Sequence, residues 1–96
     1  MSLPDSLVIR GRRYEVRLDD TLAARDLAGY IDHELRVILI DSELKAFARE
    51  EALIHEAIHA ALPPGLLPED VEERVAEALD GPLARVFRRM RREADP

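Results

Sequence analysis

Ninety-six residues suffice for one small domain, and a hydrophobic content of 47% can fill one core, built from Leu, Ile, Val and Ala because aromatics are only 4%. The formal net charge of −6 argues against nucleic acid as the main partner, and the lack of Cys excludes disulfides and cysteine-based zinc knuckles. No basic start runs into an apolar stretch and no segment is long enough to span a bilayer, so the chain is expected to be cytoplasmic with no membrane partner.

In chain order, Met1–Ser6 reads as a leader into a first strand. Leu7–Arg10 is short and β-branched, Gly11 offers a turn, and Tyr14–Leu18 alternates apolar with charged residues, the period of a half-buried strand. The two are expected to pair as a hairpin around Gly11 and Arg12. Arg10, Arg12, Arg13 and Arg17 then form a solvated face or protect an edge. Asp19, Asp20 and Thr21 carry N-cap chemistry for a short helix over Leu22–Leu27, which Gly29 would end. Gly29–His33 suits a short strand or a turn, and Leu35–Ile40 a strand buried on both faces.

Asp41 and Ser42 can cap a helix from about Glu43 to Leu62, a stretch without Pro or Gly that Pro63, Pro64 and Gly65 terminate. Pro68, Glu69 and Asp70 fit the first turn of a last helix, which reaches about Arg92. Gly81–Pro82 should kink it without reversing it, since Val75, Leu79, Leu83, Val86 and Met90 keep a three-four spacing through that point. Arg85, Arg88, Arg89, Arg91 and Arg92 suit the negative end of the helix dipole, and the tail from Glu93 is expected to be disordered.

The chemistry concentrates at His55-Glu56-Ala57-Ile58-His59. Residues four apart lie on one face of a helix, so both imidazoles can reach one metal ion. Zinc accepts His nitrogens at about 2.0–2.1 Å, and catalytic zinc usually has three protein ligands and a water. Glu56 projects beside such a metal, where a carboxylate can take a proton from water and return it to a leaving amine. Two imidazoles and a carboxylate among Ile54, Ala57, Ile58 and Ala61 need partners, and a metal answers that need.

A third ligand must come from elsewhere. On the last helix Val71, Val75, Ala76, Leu79, Leu83, Val86 and Met90 define an apolar stripe, with Glu72 near its middle. A carboxylate at the centre of a core-facing stripe is costly unless paired or metal-bound, which points to Glu72, with Glu73 as the alternative and His33 as the next candidate. His33 and Tyr30 can also line the cleft.

This arrangement, a His-Glu-x-x-His helix followed by a short connector and a Glu on the next helix, resembles the gluzincin zinc peptidases. In its compactness it is similar to the minigluzincins and the short phage-type peptidases related to the ImmA/IrrE group. Gly29-Tyr30-Ile31-Asp32 with Val37–Asp41 is similar to the strands before their motif helix, and Glu72-Glu73-x-Val75 with Leu79 to their glutamate helix. The resemblance covers about residues 29–90 and implies His55, His59 and Glu72 as zinc ligands and Glu56 as general base. The longer metzincin pattern is absent, its Gly and third His being replaced by Leu62 and Gly65.

The expectation is therefore a single α+β domain over residues 1–96. A small twisted sheet of three or four strands packs on the motif helix, which a C-terminal helix backs. The expected function is a Zn2+-dependent endopeptidase acting on a peptide or protein substrate, held by strand addition along an edge near Arg36–Ile40. The alternative is a structural or regulatory metal-binding module without proteolysis.

Overall fold

In the computed structural model, which describes residues 3–94, β1 (Ser6–Ile9) and β2 (Arg12–Asp19) pair antiparallel with Ile9 opposite Arg12. The turn falls on Arg10 and Gly11, at φ 53° and 73°, one residue earlier than expected. Two successive left-handed residues match the twist of the flanking strands, which is why the turn centres on the glycine. A 3-10 turn over Ala23–Arg25 takes the place of the expected short helix, and it ends on the left-handed Asp26 at φ 57°, not on Gly29. Gly29 instead begins β3 (Gly29–Asp32), which forms an antiparallel hairpin with β4 (Val37–Asp41). Asp32 Oδ1 builds the turn between them by accepting the N–H groups of Glu34 and Leu35 at 3.0 and 2.9 Å.

The sheet order is β1-β2-β4-β3, with β2 and β4 parallel and the other pairs antiparallel. The fold is thus α+β with a four-stranded mixed sheet. β4 lies inside the sheet, so the edge expected near Arg36–Ile40 belongs to β3. Nor is β4 sealed on both faces: Ile38 and Ile40 are fully buried, whereas Val37 and Leu39 are half-buried.

One face of the sheet packs on α1 (Ala46–Ala61), and Tyr14, Ile38, Ile40, Ala52, Leu53 and Ala60 form the core between them. The helix starts three residues after Glu43 because the chain first turns on Asp41. Its Oδ1 accepts from the Glu43 N–H at 3.0 Å, and the Arg49 guanidinium returns to the carbonyls of Leu44 and Ser42. α2 (Glu69–Ala94) packs on the other side of α1. It runs on through Pro82 and takes in Glu93 and Ala94, where a disordered tail was expected; the remainder of that tail, and the start of the leader, lie outside the described residues. No helix among the described residues is long and apolar enough to cross a membrane.

The face that α2 turns to α1 takes only part of the apolar stripe: Val71, Val75 and Leu83 are half-buried. Ala76 and Ala84 are fully buried, Gly81 is buried, and Asp80, Arg88 and Arg91 are half-buried, while Leu79, Val86, Phe87 and Met90 are exposed. Opposite them on α1 stand Glu50, which accepts from Arg91 at 2.7 Å, and Phe47, whose ring carries the Arg88 guanidinium 5.2 Å from its centroid. Polar and small residues make this seam because small ones let two helices approach closely. Rotation onto it leaves Leu79, Val86 and Met90 of the apolar stripe in solvent.

This orientation predicts an asymmetry that chemical denaturation can read. Ala84→Leu should destabilise by about 1–3 kcal/mol through overpacking, whereas Val86→Ser on the exposed stripe should stay within about 0.5 kcal/mol. The reverse order would place the stripe against α1.

Candidate metal centre

His55 and His59 occupy the α2-facing side of α1, one turn apart, with ring centroids 5.0 Å apart. Their Nε2 atoms converge to 3.3 Å. Glu73 closes the group: its Oε1 lies 2.9 Å from His55 Nε2, and its Oε2 lies 3.0 Å from His59 Nε2. Among the described residues, His55, His59 and Glu73 form the group whose donor atoms could hold a metal ion.

The expected ligand Glu72 stands elsewhere. Its Oε2 lies 2.7 Å from His59 Nδ1, on the far side of that ring from the converging atoms. Glu73, the stated alternative, stands where Glu72 was expected, one residue or about 100° of helix away. With Ala76 and Ala84 turned to α1, Glu73, three residues before Ala76, faces the histidines. Asp80 plays the part for His55 that Glu72 plays for His59, with Oδ2 3.0 Å from Nδ1. Sequence reasoning gave Asp80 no role. The available signal was that Glu73 and Asp80 lie seven apart and thus share a face, ready to meet two histidines four apart on an antiparallel helix.

These contacts favour one tautomer for a metal-bound state. A carboxylate at each Nδ1 places the ring proton there, donating outward. Both Nε2 lone pairs then point at each other and at the Glu73 carboxylate. In that tautomer the three acceptors repel unless a cation lies among them, and without metal a proton on Nε2 takes its place. The 3.3 Å between the nitrogens is close to the edge of a tetrahedron with donors about 2.0 Å from its centre. The residues fit a divalent metal with two imidazoles, a carboxylate and an open position.

Glu56 faces the sheet and is 7% exposed, yet it lines the same open cleft as the histidines. Burial pushes its carboxyl above the ordinary range, reinforced by the charge of Glu73 and opposed by His55 and His59. Gly29 makes room for it: a Cβ there would lie 3.1 Å from Glu56 Cγ and 3.3 Å from the Leu39 carbonyl oxygen. The cleft, about 950 Å³, is bounded by α1, the start of α2, β3 and the loop before it, and both Tyr30 and His33 line it.

No protein-family model matches the chain, and no curated protein or solved structure gives a significant match.

The geometry predicts that Glu73→Gln abolishes stoichiometric metal uptake, while Glu72→Gln keeps the site and weakens it about 10–100-fold by releasing His59. Metal titration decides between them, and loss of binding in Glu72→Gln alone would restore Glu72 as the ligand.

Acid–base linkage predicts opposite pH slopes with and without metal. Burial lowers the His55 pKa, but the Asp80 hydrogen bond and the charges of Glu73, Glu56 and Asp80 outweigh it and leave the value raised. A raised histidine stabilises the folded state fully below the ordinary histidine range, and that stabilisation is lost as pH rises through the folded value. Glu56, also raised, acts with the same sign from the ordinary carboxylate range upward. Metal-free protein should therefore lose stability as pH rises across these ranges. Metal requires deprotonated ligands, so its contribution should grow with pH. Melting temperatures measured across pH with metal and with chelator check this; parallel curves would contradict it.

Proposed function

We propose that this protein is a zinc-dependent endopeptidase whose ligands are His55, His59 and Glu73 and whose general base is Glu56. The observation that carries the reading is the convergence of both Nε2 atoms on the Glu73 carboxylate beside a buried carboxyl that lines the same cleft. Zinc at this centre would supply Lewis acidity toward a scissile carbonyl and a water of lowered pKa.

The chain's own residues do the rest. Glu56 directly follows the first histidine and sits in a buried place where its pKa is raised toward the operating pH, which suits a group that must both accept and return a proton. Glu72 and Asp80 hold the imidazoles in one tautomer and orientation, so Nε2 stays available. β3 ends the sheet and lines the cleft, so its unpaired edge offers backbone groups to an extended peptide.

Glu56→Gln should retain the metal and lower peptide hydrolysis by about 10²-fold or more, since it leaves the ligands and removes the base. Gly29→Ala should also keep the metal but reduce hydrolysis, because the new Cβ must displace either Glu56 or β4. Metal analysis beside a peptidase assay reads both. Stoichiometric metal with no hydrolysis by wild type on a broad peptide library would instead favour a regulatory metal module.

A further inference from the structure

The cleft carries more negative charge than the centre uses. Glu56, Glu72, Glu73 and Asp80 have roles there already. Four further acids line the same space from three directions: Asp26 on the loop before β3, Glu51 on α1, and Glu69 and Asp70 at the start of α2. No Lys or Arg lines it, although the chain holds 14 of them; Arg74 approaches Asp70 to 3.7 Å from the next turn of α2, an exposed pair that solvent screens. A divalent ion and the Arg74–Asp70 pair leave most of these eight carboxyl groups uncompensated.

The helix dipole accounts for Glu69 and Asp70. It does not account for Asp26, which sits in a left-handed turn at φ 57°, or for Glu51 in the middle of α1. The acids also do not stand alone. Glu56 is 7% exposed, makes no hydrogen bond among the described residues and borders the same cleft, which marks the space as one built to receive a ligand. A low-dielectric wall behind one sign of charge focuses the field into the cleft and raises the local concentration of the opposite charge.

We infer that the cleft selects peptides carrying Lys or Arg beside the bond at the metal centre. This rests on the peptidase reading for the identity of the ligand as a peptide. Asp26 and the Glu69–Asp70 pair flank the cleft from opposite sides, the loop and α2, so a cationic side chain on either side of the central bond meets a carboxylate. An acidic side chain meets repulsion from the same groups, and that discrimination is a stronger effect than the attraction itself. Asp26, Glu69 and Asp70 thus act as specificity-determining residues, while the metal centre supplies no preference between the two charges.

The test uses two labelled peptides of equal length, with Lys or with Glu flanking the central bond, titrated by fluorescence anisotropy into zinc-loaded Glu56→Gln protein. Wild-type protein with the central amide of each peptide N-methylated serves should that variant fail to fold. The Lys peptide should bind at least about ten-fold more tightly at low salt, as expected from several exposed charges acting together, with the gap narrowing as salt is added. The triple variant D26N/E69Q/D70N should shrink the gap to about two-fold or less while leaving zinc content unchanged. Equal affinities, or a gap that survives the triple variant, would overturn the inference. Cleavage by wild type is measured separately. Hydrolysis of both peptides without a binding preference keeps the peptidase and removes the selectivity. A Lys preference without hydrolysis of either keeps the selectivity and removes the peptidase.

Discussion

Three acceptor groups facing one another at hydrogen-bond distance are the constraint on which the rest of this molecule turns. With the Nδ1 protons of His55 and His59 donated outward to Asp80 and Glu72, the Nε2 lone pairs face each other and Glu73. Such an arrangement is stable only around a cation, a metal or a shared proton. The two outer carboxylates matter as much as the inner one. Without them either imidazole can flip its tautomer, and the convergence dissolves into ordinary hydrogen bonds. In the metal-free state the raised pKa of His55 is the same constraint expressed through protons.

That constraint sets the pose of α2. To bring Glu73 and Asp80 onto the histidines, the helix must present the face that also carries Ala76, Gly81 and Ala84. The small side chains remove any obstacle to close contact, and a Cβ on Gly81 would reach 2.9 Å from the Glu51 carboxylate. Leu79, Val86 and Met90 of the apolar stripe, with Phe87 beside them, are consequently left in solvent. Hydrophobic burial drives most helix packing. Here small apolar residues are joined by charge pairing along one seam, from Arg91 and Glu50 at one end to Glu73 and the histidines at the other.

This explains which features could be read from the sequence. The motif helix was legible because its residues belong to one local pattern: two histidines four apart, a glutamate between them, a Pro-Pro-Gly stop. The strands were legible from alternation in Tyr14–Leu18 and β-branching in β4, with small errors where a polar side chain captured the backbone, as Asp41 does ahead of α1. The carboxylate that faces both Nε2 atoms was not, because the rule that apolar faces turn inward pointed to Glu72 whereas the pairing of α1 and α2 puts Glu73 there. Reading α2 against α1, Glu73 and Asp80 against His59 and His55, would have exposed the conflict. The strand edge was misplaced for a different reason. β3 is four residues long with Gly29 at its head, too short to announce itself beside the apolar run of β4, and only the pairing order puts it outermost.

Gly29 then connects sheet and centre. It stands opposite Ile40 in the register and directly over Glu56, so the strand that borders the cleft also sets the room in which the buried carboxyl sits. Ile40 on the neighbouring strand is fully buried and anchors that register in the core. Position of the Glu56 carboxyl is therefore inherited from β-pairing, and position of His55, His59 and Glu73 relative to one another from helix pairing, and α1 is the element common to both. One face of it, Ala52, Leu53, Glu56 and Ala60, belongs to the sheet; the other, Phe47, Glu50, His55 and His59, belongs to α2. Because α2 packs chiefly on α1, a metal shared between His55, His59 and Glu73 would cross-link the last helix to the rest of the fold. Occupancy of the centre and docking of the helix are then a single equilibrium, in which the energy of binding is also energy of folding.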